Sequence, residues 1–219
     1  MSSPIKPTLK TEFIPVILII LSVFASFYFY ANFPEKVPTH WNYRGQIDGW
    51  SGKGFAAFFF PGLIFGLYLL FLGLPYLDPK KEHYLEFAKV YHIFKNFFIG
   101  FMVAIYFYTG LAGLGYELPV NVVVPTIVGL LFLILGNYMG KIKSNWFMGI
   151  RTPWTLSNEQ VWNKTHRLGG KLFMLMGLFM IFGSFLPAEL FWYSFIAGIT
   201  IVSLFPMIYS YLLYKKINK

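Results

Sequence analysis

Six apolar segments, at roughly 13–31, 55–77, 97–116, 122–139, 172–188 and 190–214, fill most of the chain and leave only short connections. Each is near the ~20 residues that a helix needs to cross a ~30 Å hydrocarbon core. Backbone in lipid must satisfy its own polar groups, and uninterrupted apolar runs of this length do so as helices. Only 12% of the residues are charged and 57% are hydrophobic, against about 25% charged in a soluble domain. The expectation is an all-α integral membrane protein with six transmembrane helices, a single membrane domain over 1–219. The first run follows Lys6 and Lys10, but it outlasts a signal-peptide h-region and lacks a small-residue cleavage site, so it reads as a retained span.

Charge sets the orientation. With termini and connections assigned alternately to two sides, Lys36, Arg44 and Lys53 fall on one side, and the other 15 of the 18 basic residues, Lys219 included, fall on the opposite side. The positive-inside rule makes this N-in/C-in, with an external polar and aromatic loop at 33–54 after helix 1. A cytoplasmic interfacial helix is expected at 78–95, and a cytoplasmic motif loop at 141–167 between helices 4 and 5. Basic residues beside a membrane attract anionic headgroups, so membrane lipids are the expected partners. The +9 net charge therefore calls for no direct nucleic acid binding. Without cysteine there are no disulfides, thiolate nucleophiles or Cys metal sites.

In the external loop, Pro34, Pro38, Gly45, Gly49, Gly52 and Gly54 forbid one long helix and favour tight turns. His40, Asn42, Arg44, Asp48 and Lys53 cluster there between Trp41, Tyr43 and Trp50. They suit a polar or peptide ligand held by charge-assisted hydrogen bonds; the alternative is a loop that satisfies itself, with Asp48 capping a turn. One His and one Asp fall short of the three or four ligands a metal needs, so no metal and no cofactor are expected.

Between Asp78 and Asn96, Tyr84, Leu85, Phe87, Ala88, Tyr91 and Phe94 recur among Lys and Glu, the pattern of a helix lying in the interface. His83 and His92 fall about 180° apart on such a helix and cannot share a ligand. The interiors of the six runs hold no Asp, Glu, Lys, Arg or His, which weighs against a transporter or ion-coupled carrier. Gly62 with Gly66 and Gly136 with Gly140 have G-x-x-x-G spacing, open to dimerisation or to packing within one chain; oligomeric state stays open.

Asn145 to Arg167 concentrates the unusual chemistry. Gly149 offers a hinge, Thr152-Pro153 a break, and Ser157 with Gln160 the S-x-x-Q pattern of a capping box, so a helix should start there and run into span 5. On it Glu159, Trp162, Asn163, His166 and Gly170 share one stripe, flanked by Arg167. The arrangement expected pairs Arg151 with Glu159 and stacks Trp154 or Trp162 on a guanidinium. Asn145, Arg151, Trp154, Glu159, Trp162, His166 and Arg167 are thus candidates for a coupling or partner-binding element, or for a clasp tying span 4 to span 5. A membrane enzyme, a hydrolase or lipid-modifying one, would use Glu159 and His166 as acid and base and Arg151 on an anion. Against it, no nucleophile elbow, H-E-x-x-H or paired acidic motif occurs, and no catalytic residue is assigned.

The run Gly149-Ile150-Arg151-Thr152-Pro153-Trp154-Thr155-Leu156-Ser157 with Asn145, Val161-Trp162 and Thr165-His166-Arg167 resembles the signature of the SdpI immunity protein family. Pro38-Thr39-His40-Trp41-Asn42, Gly45, Asp48-Gly49-Trp50 and Lys53 are similar to the domain of unknown function that precedes it in many members. The resemblance implies a multipass cell-membrane protein that binds or neutralises a membrane-active peptide outside and recruits a cytoplasmic repressor inside.

Overall fold

The computed structural model describes residues 5–218; Lys219, counted among the basic residues above, lies outside them. Its elements are α1 (Leu9–Asn32), β1 (Lys36–Trp41), β2 (Ile47–Gly52), α2 (Lys53–Leu77), α3 (Ala88–Gly113), α4 (Val120–Met139), α5 (Pro153–Ser157), α6 (Glu159–Gly183) and α7 (Ala188–Ile217). Five of these helices, α1, α2, α3, α4 and α7, are long and apolar enough to cross a membrane. α6 is as long, but Glu159, Lys164, Arg167 and Lys171 sit in its first half.

Two helices begin earlier than their apolar runs, and this changes the interior. Thr8 caps α1 by a reciprocal exchange with Thr11, the Thr11 N–H donating to Thr8 Oγ1 at 3.2 Å and the Thr8 N–H to Thr11 Oγ1 at 2.9 Å. Glu12 is thereby drawn into the first turn, where the helix dipole favours a negative charge. α3 starts at Ala88 and takes in Lys95, which is fully buried. Lys95 Nζ donates to both carboxylate oxygens of Glu12 at 2.5 Å. Lys95 therefore does not belong with the solvent-facing basic residues of a loop, and the helices do contain a charged pair.

Residues 78–95 do not form one amphipathic helix. α2 ends at Asp78, a 3₁₀ turn spans Lys81–Leu85 and α3 follows. The Asp78 carboxylate causes the break, accepting the Lys80 N–H at 2.7 Å and the Tyr84 hydroxyl at 3.0 Å. Tyr84, Phe87 and Tyr91, the aromatic face of the expected helix, are buried in a core shared with Ile142 and Trp162.

The helices pack in two groups, α1 with α2 and α3, and α4 with α6 and α7, joined where α3 meets α4. The α4/α6 seam is built on glycine. A Cβ on Gly136 would lie 2.6 Å from the Gly170 carbonyl oxygen, and one on Gly129 would lie 2.7 Å from that of Gly177. The pairing is antiparallel and lets the two backbones touch, as small residues do between membrane helices. Gly136 is thus used within the chain, whereas a Cβ on Gly62 or Gly66 would meet nothing within 4 Å.

The segment between α1 and α2 departs from an all-helical fold. β1 and β2 pair antiparallel, with Lys36 opposite Gly52 and Trp41 opposite Ile47. Val-Pro-Thr-His-Trp suits an extended strand, and Asn42 closes the turn, its Oδ1 accepting the N–H groups of Arg44 at 2.9 Å and Gln46 at 3.1 Å. Gly45 supplies the positive φ of 79° that the turn requires. Val37 and Phe33 anchor the hairpin against Gly113 of α3.

Candidate functional site

Residues 141–157 fold into a knot of irregular chain seated on α6, and buried side chains make it. Asn145 is fully buried and completely used: Oδ1 accepts the N–H groups of Phe147 at 2.9 Å and Met148 at 2.6 Å, while Nδ2 donates to the carbonyls of Lys143 at 2.9 Å and Met148 at 3.1 Å. The chain then turns at Gly149, whose φ of 104° and whose contact with the His166 ring both exclude a side chain. Thr152 caps α5 with Thr155 at N3 and Pro153 in the first turn. The α6 cap falls one residue later than the S-x-x-Q pattern implies. Ser157 is the last residue of α5, and Asn158 Oδ1 accepts the Val161 N–H at 3.0 Å.

His166 lies at the centre of this knot and is fully buried. Its Nδ1–H donates to the Trp162 carbonyl at 2.8 Å, and its Nε2 accepts the Ile150 N–H at 2.9 Å. Both ring nitrogens are occupied, which fixes a neutral tautomer. Burial drives the imidazole down to about 4, opposed in part by the bond to Trp162. Trp162 stacks on this ring at 3.9 Å between centroids, and its indole N–H donates to the Ile142 carbonyl at 2.8 Å.

The charged residues of the stripe do not converge. Arg151 is exposed and donates to the Trp146 carbonyl at 2.6 Å instead of pairing with Glu159. Glu159 is exposed in the first turn of α6, Trp154 packs on Tyr211 of α7 at 5.0 Å, and the Arg167 stem runs over Gly140. Neither an acid/base pair nor an aromatic-capped guanidinium is assembled from these groups. A buried imidazole with both nitrogens bonded has no lone pair or proton to offer a substrate.

The link between α2 and α3 clamps the same knot, through residues that the sequence did not single out. Asp78 is 2% exposed, and its Oδ2 accepts the Trp146 N–H at 2.9 Å. Lys80 Nζ donates to Ser144 Oγ at 2.8 Å, the His83 Nδ1–H donates to the Ser144 carbonyl at 2.7 Å, and Lys143 pairs with Glu86 at 2.9 Å. Burial, with the Asp78 charge adding to it, pushes the Tyr84 phenol far up, so it serves Asp78 as a donor at every physiological pH. The only signal in the sequence was Asp78-Pro79, an ordinary helix stop.

On the hairpin, the five polar candidates are largely engaged with protein partners. His40 Nδ1 meets Asp48 Oδ1 at 2.5 Å across the strands, Asn42 holds the turn, Arg44 pairs with Glu189 at 2.8 Å and Lys53 with Glu35 at 2.7 Å. None of the five lines the groove of about 800 Å³ between the hairpin and the α3–α4 link. Lys36, Trp41, Trp50, Tyr108, Tyr116 and Glu117 do.

α7 touches both regions. Near its start Glu189 holds Arg44 and Trp192 stacks on Tyr43 at 5.7 Å between centroids. Near its end Ser210 Oγ lies 3.0 Å from Thr152 Oγ1, and Tyr211 packs on Trp154. From Glu189 to Ser210 the helix rises about 32 Å, close to the ~30 Å of a hydrocarbon core.

Comparison with known proteins bears on both regions. Residues 141–210, the knot with α6 and most of α7, match the model of the SdpI/YfhL protein family. That match covers the C-terminal third of the chain. Residues 17–65, spanning the hairpin, match a domain of unknown function, DUF1648. The Immunity protein SdpI of Bacillus subtilis (strain 168) is 28% identical over 210 residues, covering 96% of this chain and 99% of the relative. No solved structure matches. With this likeness and five helices long and apolar enough to cross a membrane, the chain is a multipass protein of the cell membrane.

Proposed function

We propose that this chain is an immunity protein of the SdpI/YfhL family that meets a membrane-active peptide at its hairpin face and signals through the knot at 141–157 and the start of α6. The observation that carries the reading is α7, which holds the hairpin at Glu189 and Trp192 and the knot at Ser210 and Tyr211. The near-complete alignment with a relative named as an immunity protein supports the role.

The topology that goes with this reading has six spans with both termini inside. The excess of basic residues on the side of the knot supports it, as does the glycine seam that lays α6 along α4. The hairpin then lies outside with its groove of about 800 Å³, and the knot lies inside, where Arg151, Trp146 and Glu159 are open to a cytoplasmic partner such as a repressor. A ligand that binds one arrangement of α7 better than another shifts the population of the knot by that difference and no more.

Cells that express the chain should survive a membrane-active peptide encoded beside its gene at concentrations that stop growth of cells without it. Arg44→Met and Glu189→Gln variants that still insert should lose reporter output from a co-expressed repressor. Equal survival with and without the chain would overturn the immunity reading.

A further inference from the structure

The Glu12–Lys95 pair is not part of the hairpin–knot path, yet it is the most heavily built ionic site among the described residues. Lys95 is 1% exposed at its side chain and Glu12 13%. The carboxylate also accepts the Tyr68 hydroxyl of α2 at 3.0 Å and the Thr11 hydroxyl at 2.9 Å. One carboxylate thus ties α1 to both α2 and α3. Ionisable groups held within membrane helices are costly and mark functional positions more often than passive ones.

One turn before Lys95 on the same helix, His92 faces the same carboxylate. Its Nδ1 is buried, has no hydrogen-bond partner among the described residues, and lies 3.9 Å from Glu12 Oε1. A cavity of about 80 Å³ opens beside the group, lined by Glu12, His92 and Lys95 with Tyr76, Tyr91 and Ile5. The titratable and charged groups that face His92 are Glu12 from α1, Tyr68 and Tyr76 from α2, and Tyr91 and Lys95 from α3. Tyr91 is already engaged, donating to the Phe71 carbonyl.

We propose that His92 is a proton-binding site that sets the grip of α3 on α1. With the ring neutral it brings no charge to the carboxylate, and Glu12 belongs to Lys95. A proton taken up from water makes the ring a cation whose Nδ1–H lies 3.9 Å from Glu12 Oε1, so two cations then compete for one carboxylate. The cluster goes from net zero to net +1, and Lys95 and His92, three residues apart on one helix face, repel each other. Relief comes from moving α1 relative to α3, which lets water into the cavity. The proposal needs only that α1 and α3 lie in the membrane, and it stands apart from the relay through α7.

The chain has no cysteine, so paired spin labels can be placed cleanly at Phe13→Cys and Phe97→Cys, both lipid-facing positions that are 65% and 48% exposed. The full chain in nanodiscs of phosphatidylcholine and phosphatidylglycerol is measured at pH 8 and at pH 4, the lower value lying well below the range in which an ordinary imidazole takes up its proton. The label distance should change by about 1–2 Å, the scale of helix shifts at packed interfaces. A His92→Gln variant should keep the pH 8 distance at both values. If the wild type shows no change, or His92→Gln changes as the wild type does, the proposal is overturned.

Discussion

The carboxylate of Asp78 accepts the backbone N–H of Trp146 at 2.9 Å. It joins the end of α2 to the first residues of the signature knot, 68 positions along the chain. The same carboxylate holds the Lys80 N–H and the Tyr84 hydroxyl, so one buried side chain orders two connections. Hydrogen bonds to a charged group contribute about 1.5–3 kcal/mol, and losing the acceptor leaves buried donors unmet. Asp78→Ala should lower stability by at least that much, read as a fall in the thermal midpoint in detergent micelles, with Asp78→Asn losing less.

The knot should respond to acid through His166. The imidazole is held neutral and down at about 4 in the folded chain, against 6.5 for a free histidine. Below 6.5 the unfolded chain takes up a proton that the folded chain refuses, so stability is present above that value and is lost as pH falls towards 4. The loss is on the order of 3 kcal/mol across the window. Urea unfolding at steps from pH 7.5 to pH 4 should show the decline, and a His166→Gln variant should start less stable and fall less steeply.

Glycine spacing gives a sharper test of packing. Gly136→Ala places a methyl 2.6 Å from the Gly170 carbonyl oxygen, and overpacking of this kind costs about 1–3 kcal/mol. Gly62→Ala meets nothing and should hold or raise stability by about 0.5–1 kcal/mol from helix propensity alone. Thermal midpoints of the two variants in the same micelles should move in opposite directions or differ by several degrees.

Trp162 separates packing from hydrogen bonding. Trp162→Phe removes the donor to the Ile142 carbonyl and should cost about 1 kcal/mol, while Trp162→Ala should cost about 3–5 kcal/mol by opening a cavity. Glu159→Gln, at an exposed position, should change stability by no more than about 0.5 kcal/mol. Chemical denaturation of the three variants checks the ranking.

The membrane helices were legible because a span needs little more than length and apolarity, and the hairpin was half legible through its prolines, glycines and Asn42. What escaped lies in pairings. Glu12 and Lys95 stand 83 residues apart, and each looked like an ordinary flanking charge because its helix extends a turn or more beyond the apolar run. His166 was visible as a candidate, yet its burial and the use of both nitrogens depend on where Gly149 turns the chain. Ser157 and Gln160 fit a capping pattern, but Pro153 starts a separate short helix that consumes Ser157, and Asn158 takes over the cap. α7 offered no candidate site residue, since its contacts with the hairpin and the knot use one Glu, one Ser and aromatics common throughout the chain.

Gly129 and Gly136 meet Gly177 and Gly170 at the same spacing on both helices, so α4 and α6 engage like two pegs in two holes. A small slide of either helix unseats both pegs at once, and even a slide of seven residues, or about 10.5 Å, would bring only one glycine pair back together. The pair therefore acts as a ratchet tooth at rest, able to tilt or turn as a block but not to creep. Any motion that reaches the knot must arrive from a partner without such paired teeth, and α7, whose Gly198 meets α6 only at the flexible end of the Met176 side chain, is free to supply it.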